Sequence, residues 1–338
     1  MNKLIDTPYL DLSNEVSTSR LGEIVSDGRG WTVDSIGPND AVFKPNTQIE
    51  IDIRKLAKNC QGLGPDDLSS TNLPVLPDSL KNFMGQVKKS CDMGLGFAIV
   101  DHLNLDEMDV DTAIAVSWIL GNAVGRQVAQ KWDGSMLYQV TDYGFKYGYG
   151  IRGSYTNVEL VFHTDNAFGK ATPEYVSLVC LHPAKSGGVS RFCSLYTVHN
   201  RLLERYPQAL ARLYEPIFFD RQAEHDEDEP KVSFAPMFCW DGEKLSCRAH
   251  HGLIYKGYEL IDHKMDEQTK DALAALKNVM SAKDIWMEQH FKRGQIQFLN
   301  NRVLAHYRSE FEDFDDPSKK RHLVRNWHRN SGEVGYDG

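Results

Sequence analysis

Val161-Phe-His-Thr-Asp-Asn-Ala-Phe-Gly169 is the stretch on which the reading of this chain turns. The residues leading into it, Asn157-Val-Glu-Leu-Val-Phe-His163, have strand character. Alternation along a strand puts positions 157, 159, 161, 163 and 165 on one face, so His163 and Asp165 point the same way from a stiff backbone. A His-x-acid pair carries no weight by itself. With 12 histidines and 47 acidic residues in 338, about two such pairs are expected by chance, and two occur, the other being His225-x-Glu227. Context separates them. His225 lies in the acidic run 222–231, which lacks the glycine turn and closing glutamate of an EF-hand and reads as a solvated loop.

Further along, Phe291-Lys-Arg-Gly294 makes a turn, Gln295-Ile-Gln-Phe-Leu299 a strand, and Asn300-Asn301 a second turn before Arg302-Val-Leu-Ala-His306. In the next strand, Arg321, Leu323 and Arg325 share a face by period-2 geometry, so two arginines line one interior wall. A buried guanidinium is costly unless it meets an anion, and its planar fork matches a carboxylate. The plainer alternative is that one or both arginines pair with acidic residues inside the fold. Two histidines and one carboxylate on one side of a metal leave the opposite side open, which is the ligand set of non-haem Fe(II) oxygenases.

The rest of the chain narrows the class. Its 338 residues suit one large domain over 1–338, and 41% apolar with 25% charged residues describes a chain that folds. The net charge of −9, without a basic patch, argues against a nucleic-acid partner. No run approaches the roughly 18 apolar residues of a membrane span and no signal-peptide pattern opens the chain, so a cytoplasmic protein without a membrane partner is expected. Cys60, Cys91, Cys180, Cys193, Cys239 and Cys247 form no Cys-x-x-Cys pair and read as reduced thiols. A homo-oligomer is compatible with all of this.

Helical periodicity is expected over 77–89, 107–128, 195–212 and 266–280. Strands are expected at 96–101 and in short runs at about 135–141, 157–164, 175–181, 189–193, 216–219, 245–249, 295–299, 302–306 and 321–327, and many short punctuated strands mean a sandwich or barrel. Residues 1–75 are turn-rich, with short strands at 30–34 and 49–53, and read as an extension packed on the remainder. Gly148-Tyr-Gly150-Ile-Arg-Gly153 has nucleotide-loop spacing, but a strand follows it where a dinucleotide fold needs a helix. The glycine- and aromatic-rich segment 142–153 reads instead as a flap or an ordinary surface loop. Arg248-Ala-His-His-Gly-Leu-Ile-Tyr255 reads as a strand-like segment reaching a substrate pocket, and Asn157 and Glu159, inward with His163, are further substrate candidates.

Taken in order, His163-Thr-Asp165, Ser186-Gly-Gly188 with Ser190 two further on, Asn301-Arg-x-x-x-His306, Arg321 and Arg325 resemble the taurine dioxygenase (TauD/TfdA) family of Fe(II)- and 2-oxoglutarate-dependent oxygenases, in the clavaminate-synthase-like group. The match spans 157–329, with a longer gap than taurine dioxygenase between His306 and Arg321. The resemblance implies a double-stranded β-helix, or jelly roll, mainly β with flanking helices. It makes His163, Asp165 and His306 the iron ligands, gives the distal carboxylate of 2-oxoglutarate to Arg321 with Ser190, where the family has threonine, and sets Arg325 against an anionic group of the substrate. Because Asp165 is present, the halogenase variant of this chemistry, which needs a small residue there, is not expected.

The implied reaction uses Fe(II), 2-oxoglutarate and O2 to oxidise an unactivated C–H bond, with hydroxylation as the default and desaturation or cyclisation as alternatives. Arg325, Arg248 and the inward polar residues favour a small polar substrate bearing a carboxylate, such as an amino acid or a specialised-metabolite precursor. The competing class is a jelly-roll binding protein without catalysis.

Overall fold

A computed structural model describes residues 7–15, 19–69, 73–148 and 150–337. The opening residues 1–6 and Tyr149, inside the expected flap, lie outside the described residues.

Two sheets face each other. The larger runs in the order Val42–Phe43, Phe97–Val100, Ile296–Asn300, Tyr175–His182, His322–Arg329, Arg126–Val128, with Tyr138–Val140 also pairing with His322–Arg329. The smaller runs Trp286–Gln289, Ser190–Ser194, Leu304–Arg308, Leu160–His163. This is the jelly roll that the sequence leads one to expect. Alternation builds its layers: from Phe97–Val100, Ala98 and Val100 turn outward to the helices Thr47–Cys60, Asp78–Met93 and Val110–Asn122, while Phe97 and Ile99 turn inward. The Phe97 ring stacks on Phe192 of the opposing sheet at 4.7 Å between centroids, closing one end of the barrel. The other end stays open around His163 and His306.

Between Ser190–Ser194 and Trp286–Gln289 the chain builds a second layer. It consists of helices Leu195–Arg205, Pro207–Leu213, His251–Leu260 and Glu267–Met280 around the small sheet Leu10–Asp11, Val232–Pro236, Pro216–Asp220. No helix of the described residues is long and apolar enough to cross a membrane.

Three local expectations are corrected. Residues 49–53 are helical, not a strand: Ile49, Ile53, Leu56, Ala57 and Cys60 recur at helical spacing and are buried. The Asn46 side chain accepts from the Ile49 N–H and starts the helix at 3.0 Å. Residues 30–34 form no strand, and Val33–Ser35 is a single 3-10 turn. The segment 248–255 leaves strand conformation at once, with His250 capping the helix His251–Leu260.

Candidate active site

His163 ends the strand Leu160–His163, and antiparallel pairing sets it directly opposite His306 in Leu304–Arg308. Asp165 follows two residues later, buried. The two imidazoles lie 4.2 Å apart between centroids. Both Nε2 atoms stand 3.6 Å from the same oxygen, Oδ1 of Asp165. Among the described residues these three form the one group of histidine, cysteine and acidic side chains that could hold a metal ion, with ligand atoms within 4.8 Å of one another. Octahedral bonds of about 2.1 Å separate neighbouring donors by about 3 Å, so a small contraction would close this set on a cation.

The groups that touch these three side chains agree with that use. His163 donates from Nδ1 to the Val161 carbonyl at 2.7 Å, which leaves the Nε2 lone pair for the cavity. Oδ2 of Asp165 is occupied, accepting from Trp327 Nε1 at 2.8 Å and pairing with Arg325 Nη1 at 3.0 Å, so Oδ1 is the oxygen left for a metal. Burial would raise the Asp165 carboxyl, but the Arg325 guanidinium and the two imidazoles facing it hold it well below the usual carboxylate range. Burial lowers His306, which keeps its ring neutral as ligation requires. The Asp165 backbone is gripped as well: its N–H donates to Asn301 Oδ1 at 2.7 Å and its carbonyl accepts from Asn301 Nδ2 at 2.9 Å.

Behind the triad a narrow inner cavity of about 60 Å³ runs between the sheets, lined by Ser190, Gln297, Arg308, Arg321 and Arg325 beside His163, Asp165 and His306. Arg321 is buried, packs on Phe311 at 5.0 Å, and leaves Nη1 without a partner. The Ser-Gly-Gly match explains itself here. Gly187 and Gly188 both have positive φ, and a Cβ on Gly187 would fall 2.2 Å from the Glu310 carbonyl, while one on Gly188 would fall 3.2 Å from Arg321 Nε. Both amide ends of buried Gln297 also lack partners. A cavity with this many unsatisfied donors fits an anionic, oxygen-rich guest.

In front of the triad an outer cavity of about 370 Å³ opens to solvent, walled by Glu159, Leu160, Val161, Gln222, His250 and Lys256, with Tyr147 and Arg152 from the glycine-rich loop. Lys256 lies over the Tyr147 ring at 5.1 Å and makes no ion pair among the described residues, although its charge reaches the buried Asp220 carboxyl. Arg152 is tied to Glu224 of the acidic run at 2.6 Å, which docks that run against the loop. His250 accepts from the Leu253 N–H at Nδ1, which puts its ring proton on Nε2.

Three expected substrate residues sit differently. Arg325, between Tyr138 at 4.4 Å and Trp327 at 5.0 Å, pairs with Asp165 through Nη1 and donates from Nε to Gln130 at 2.8 Å, while its buried Nη2 has no partner among the described residues and the side chain borders both cavities. Arg248 is buried and donates to the Ala167 and Gly169 carbonyls at 3.2 and 2.6 Å, bracing the turn after Asp165 away from the cavity. Asn157 is exposed and outside both cavities, while Glu159 reaches the outer rim and accepts from the Tyr307 hydroxyl.

Comparison with known proteins decides the family. A family model described as taurine catabolism dioxygenase TauD, TfdA family matches residues 74–327, three quarters of the chain, and covers the triad and both arginines. The chain belongs to this family. As a TauD/TfdA member it is an Fe(II)- and 2-oxoglutarate-dependent dioxygenase. Its relatives include an FR-33289 synthase of Streptomyces rubellomurinus, 28% identical over 80% of this chain and 78% of that one. A taurine hydroxylase-like protein of Stachybotrys chartarum is 30% identical over 65% of this chain and 56% of that one. The fold is shared with asparagine oxygenase, solved with Fe(II), 3-hydroxyasparagine and succinate (TM-score 0.68, 18% identity, 86% of this chain and 94% of that one). It is also shared with the non-haem iron oxygenase OrfP, solved with Fe and alpha-ketoglutaric acid (TM-score 0.64, 14% identity, 86% and 94%).

Within this TauD/TfdA chain, sequence reading missed Trp327, Arg308, Gln297 and Lys256, and had Asn301 only as part of the Asn-Arg-x-x-x-His match. Two were within reach. Arg308 lies two positions beyond His306 and so shares its face, and Trp327 lies two beyond Arg325. Lys256 shows itself only once 251–260 is known to be helical, where it stacks one turn beyond Gly252.

Proposed function

We propose that His163, Asp165 and His306 hold Fe(II), that Arg321 and Ser190 receive the distal carboxylate of 2-oxoglutarate in the inner cavity, and that the outer cavity takes a small, polar, carboxylate-bearing substrate such as an amino acid, hydroxylated by default. The observation that carries the substrate reading is the charge pattern of the outer cavity. Lys256, which makes no ion pair among the described residues, and Glu159, at the rim, offer a cation and an anion to a molecule carrying both charges. Asparagine oxygenase, bound to 3-hydroxyasparagine, and OrfP, bound to (3S)-hydroxy-L-Arg, share the fold and support this choice.

Iron with 2-oxoglutarate and dioxygen supplies the oxidising power, releasing succinate and carbon dioxide. The chain's part is positional. Val161 fixes the His163 tautomer, Trp327 and Arg325 hold one Asp165 oxygen so that the other faces inward, and the Leu160, Leu178 and Phe192 side chains keep the inner wall apolar. Lys256 and Glu159 would orient the substrate over the triad, and the loop 142–153, which brings Tyr147 to the cavity, would close over it. Desaturation or cyclisation would use the same residues with a different substrate pose.

A succinate-release screen across amino acids and small carboxylates tests this reading. At least one carboxylate-bearing compound should raise succinate above the substrate-free rate, and Lys256→Met should raise its KM with little change in the KM for 2-oxoglutarate. Stimulation confined to uncharged compounds would refute the substrate class.

A further inference from the structure

We propose that Arg308 is a second arginine for the cosubstrate, sharing the distal carboxylate with Arg321. This rests on the reading that 2-oxoglutarate occupies the inner cavity.

Position comes first. Arg308 stands two residues after His306 on the same strand, and its cross-strand partner is Ser190, just as His306 faces Phe192. Alternation therefore sets Arg308 and Ser190 side by side on the barrel's inner face, and both line the cavity that reaches Arg321.

Charge is the second observation. Arg308 and Arg321 are 6% and 4% exposed and pack on the same Phe311 ring, at 4.9 and 5.0 Å. Neither makes an ion pair among the described residues. Asp313, the acidic side chain beside Arg321, gives its Oδ1 to the Arg321 backbone N–H at 2.7 Å. Asp142 lies near Arg308 and Asp313 near Arg321, but neither closes an ion pair, and two buried like charges side by side are costly unless an anion completes the site.

Hydrogen bonding is the third. All of the Arg308 bonds, to the carbonyls of Gly153, Thr156 and Val158, leave from one nitrogen, Nη2. Among the described residues Nε and Nη1 are buried without partners, as is Nη1 of Arg321. Fastening the 153–158 backbone would need only the first nitrogen. A carboxylate has two oxygens and about four acceptor sites, enough to take donors from two guanidinium groups and the Ser190 hydroxyl.

The test compares 2-oxoglutarate with 2-oxobutyrate, which has the same 2-oxo acid end and no distal carboxylate. Dissociation constants are read anaerobically from the visible band of the protein with Fe(II), and checked by the ligand-induced rise in Tm. Arg308→Met should weaken 2-oxoglutarate by roughly tenfold to a hundredfold and leave 2-oxobutyrate unchanged. Equal weakening of both, or of neither, overturns the proposal and leaves Arg308 as a backbone staple. Arg321→Gln, which removes no side-chain hydrogen bond, covers the case in which the Arg308 variant does not fold. With Arg308 still in place, a preference for 2-oxoglutarate of roughly tenfold should survive, and complete loss of preference overturns the sharing. If the unmutated protein shows no preference for 2-oxoglutarate, the cosubstrate reading itself falls, and this inference falls with it.

Discussion

Replacing Asn301 with alanine should loosen the Asp165 ligand without touching its side chain. Asn301 is fully buried and makes three hydrogen bonds, accepting from Asp165 N–H at 2.7 Å and donating to the carbonyls of Asp165 and Pro173 at 2.9 and 3.2 Å. Truncation removes all three and leaves a buried donor and two buried acceptors. At about 1 kcal/mol net for each bond the loss is about 3 kcal/mol, and more if the orphaned groups stay dry. Against a total of roughly 5–15 kcal/mol the variant should still fold. Because the grip on Asp165 sets the ligand's position, metal affinity should drop by roughly ten- to a hundredfold. Urea denaturation of the metal-free protein, followed by tryptophan fluorescence, measures the first effect, and an anaerobic Fe(II) titration measures the second. Asn301→Asp keeps the acceptor but loses both donors and buries a charge, so it should destabilise at least as much as alanine. A loss below about 1 kcal/mol with unchanged metal affinity would refute the argument that Asn301 positions the ligand.

Other consequences are equally specific. Trp327→Phe deletes the 2.8 Å bond to Asp165 Oδ2 while Arg325 remains, so stability should fall by about 1.5–3 kcal/mol with a parallel loss of metal affinity; a variant as stable and metal-tight as the parent would contradict it. Gly257→Ala would set a Cβ 2.8 Å from the Phe218 carbonyl oxygen, forcing the helix His251–Leu260 off its strand. A cost of about 1–3 kcal/mol and a raised substrate KM through Lys256 should follow, both measurable on the purified variant. Burial pushes His199 and His328 down from 6.5 to about 4. Above 6.5 both are neutral in folded and unfolded chains, while between 6.5 and 4 the unfolded chain takes up protons that the folded one refuses. Stability should therefore be lost as pH falls through that window, by up to about 3 kcal/mol for each histidine. A Tm–pH profile that is flat there would show that these rings are not held neutral.

The barrel was legible because its strands announce themselves. Tyr175–His182 is almost wholly apolar since helices cover one side and the opposing sheet the other, and the triad followed from the His-x-Asp pair at a strand end together with the family resemblance that added His306. The same alternation misplaced Asn157 because of a bulge. His306 pairs with His163, but Arg308 pairs with Leu160, so the four residues 160–163 of one strand oppose the three residues 306–308 of the other. Leu160 thereby joins the inner wall while Asn157 stays outside both cavities, and a single sequence carries no mark of such an insertion. Ile49-Glu-Ile-Asp-Ile53 alternates like a strand, yet buried Leu56, Ala57 and Cys60 extend a helical stripe that overrides it. The role of Arg325 was hidden for another reason. Whether a buried arginine meets an internal acid or a guest depends on distances that period-2 geometry does not give.

The central claim is that His163, Asp165 and His306 hold one Fe(II) with 2-oxoglutarate bound beside it. Anaerobic addition of Fe(II) and 2-oxoglutarate, monitored by visible absorption, tests it most directly. The account predicts a weak charge-transfer band that saturates at one iron per chain and is lost in folded Asp165→Ala and His306→Ala variants. A folded, unmutated protein that gives no band, or variants that keep it undiminished, would contradict the account.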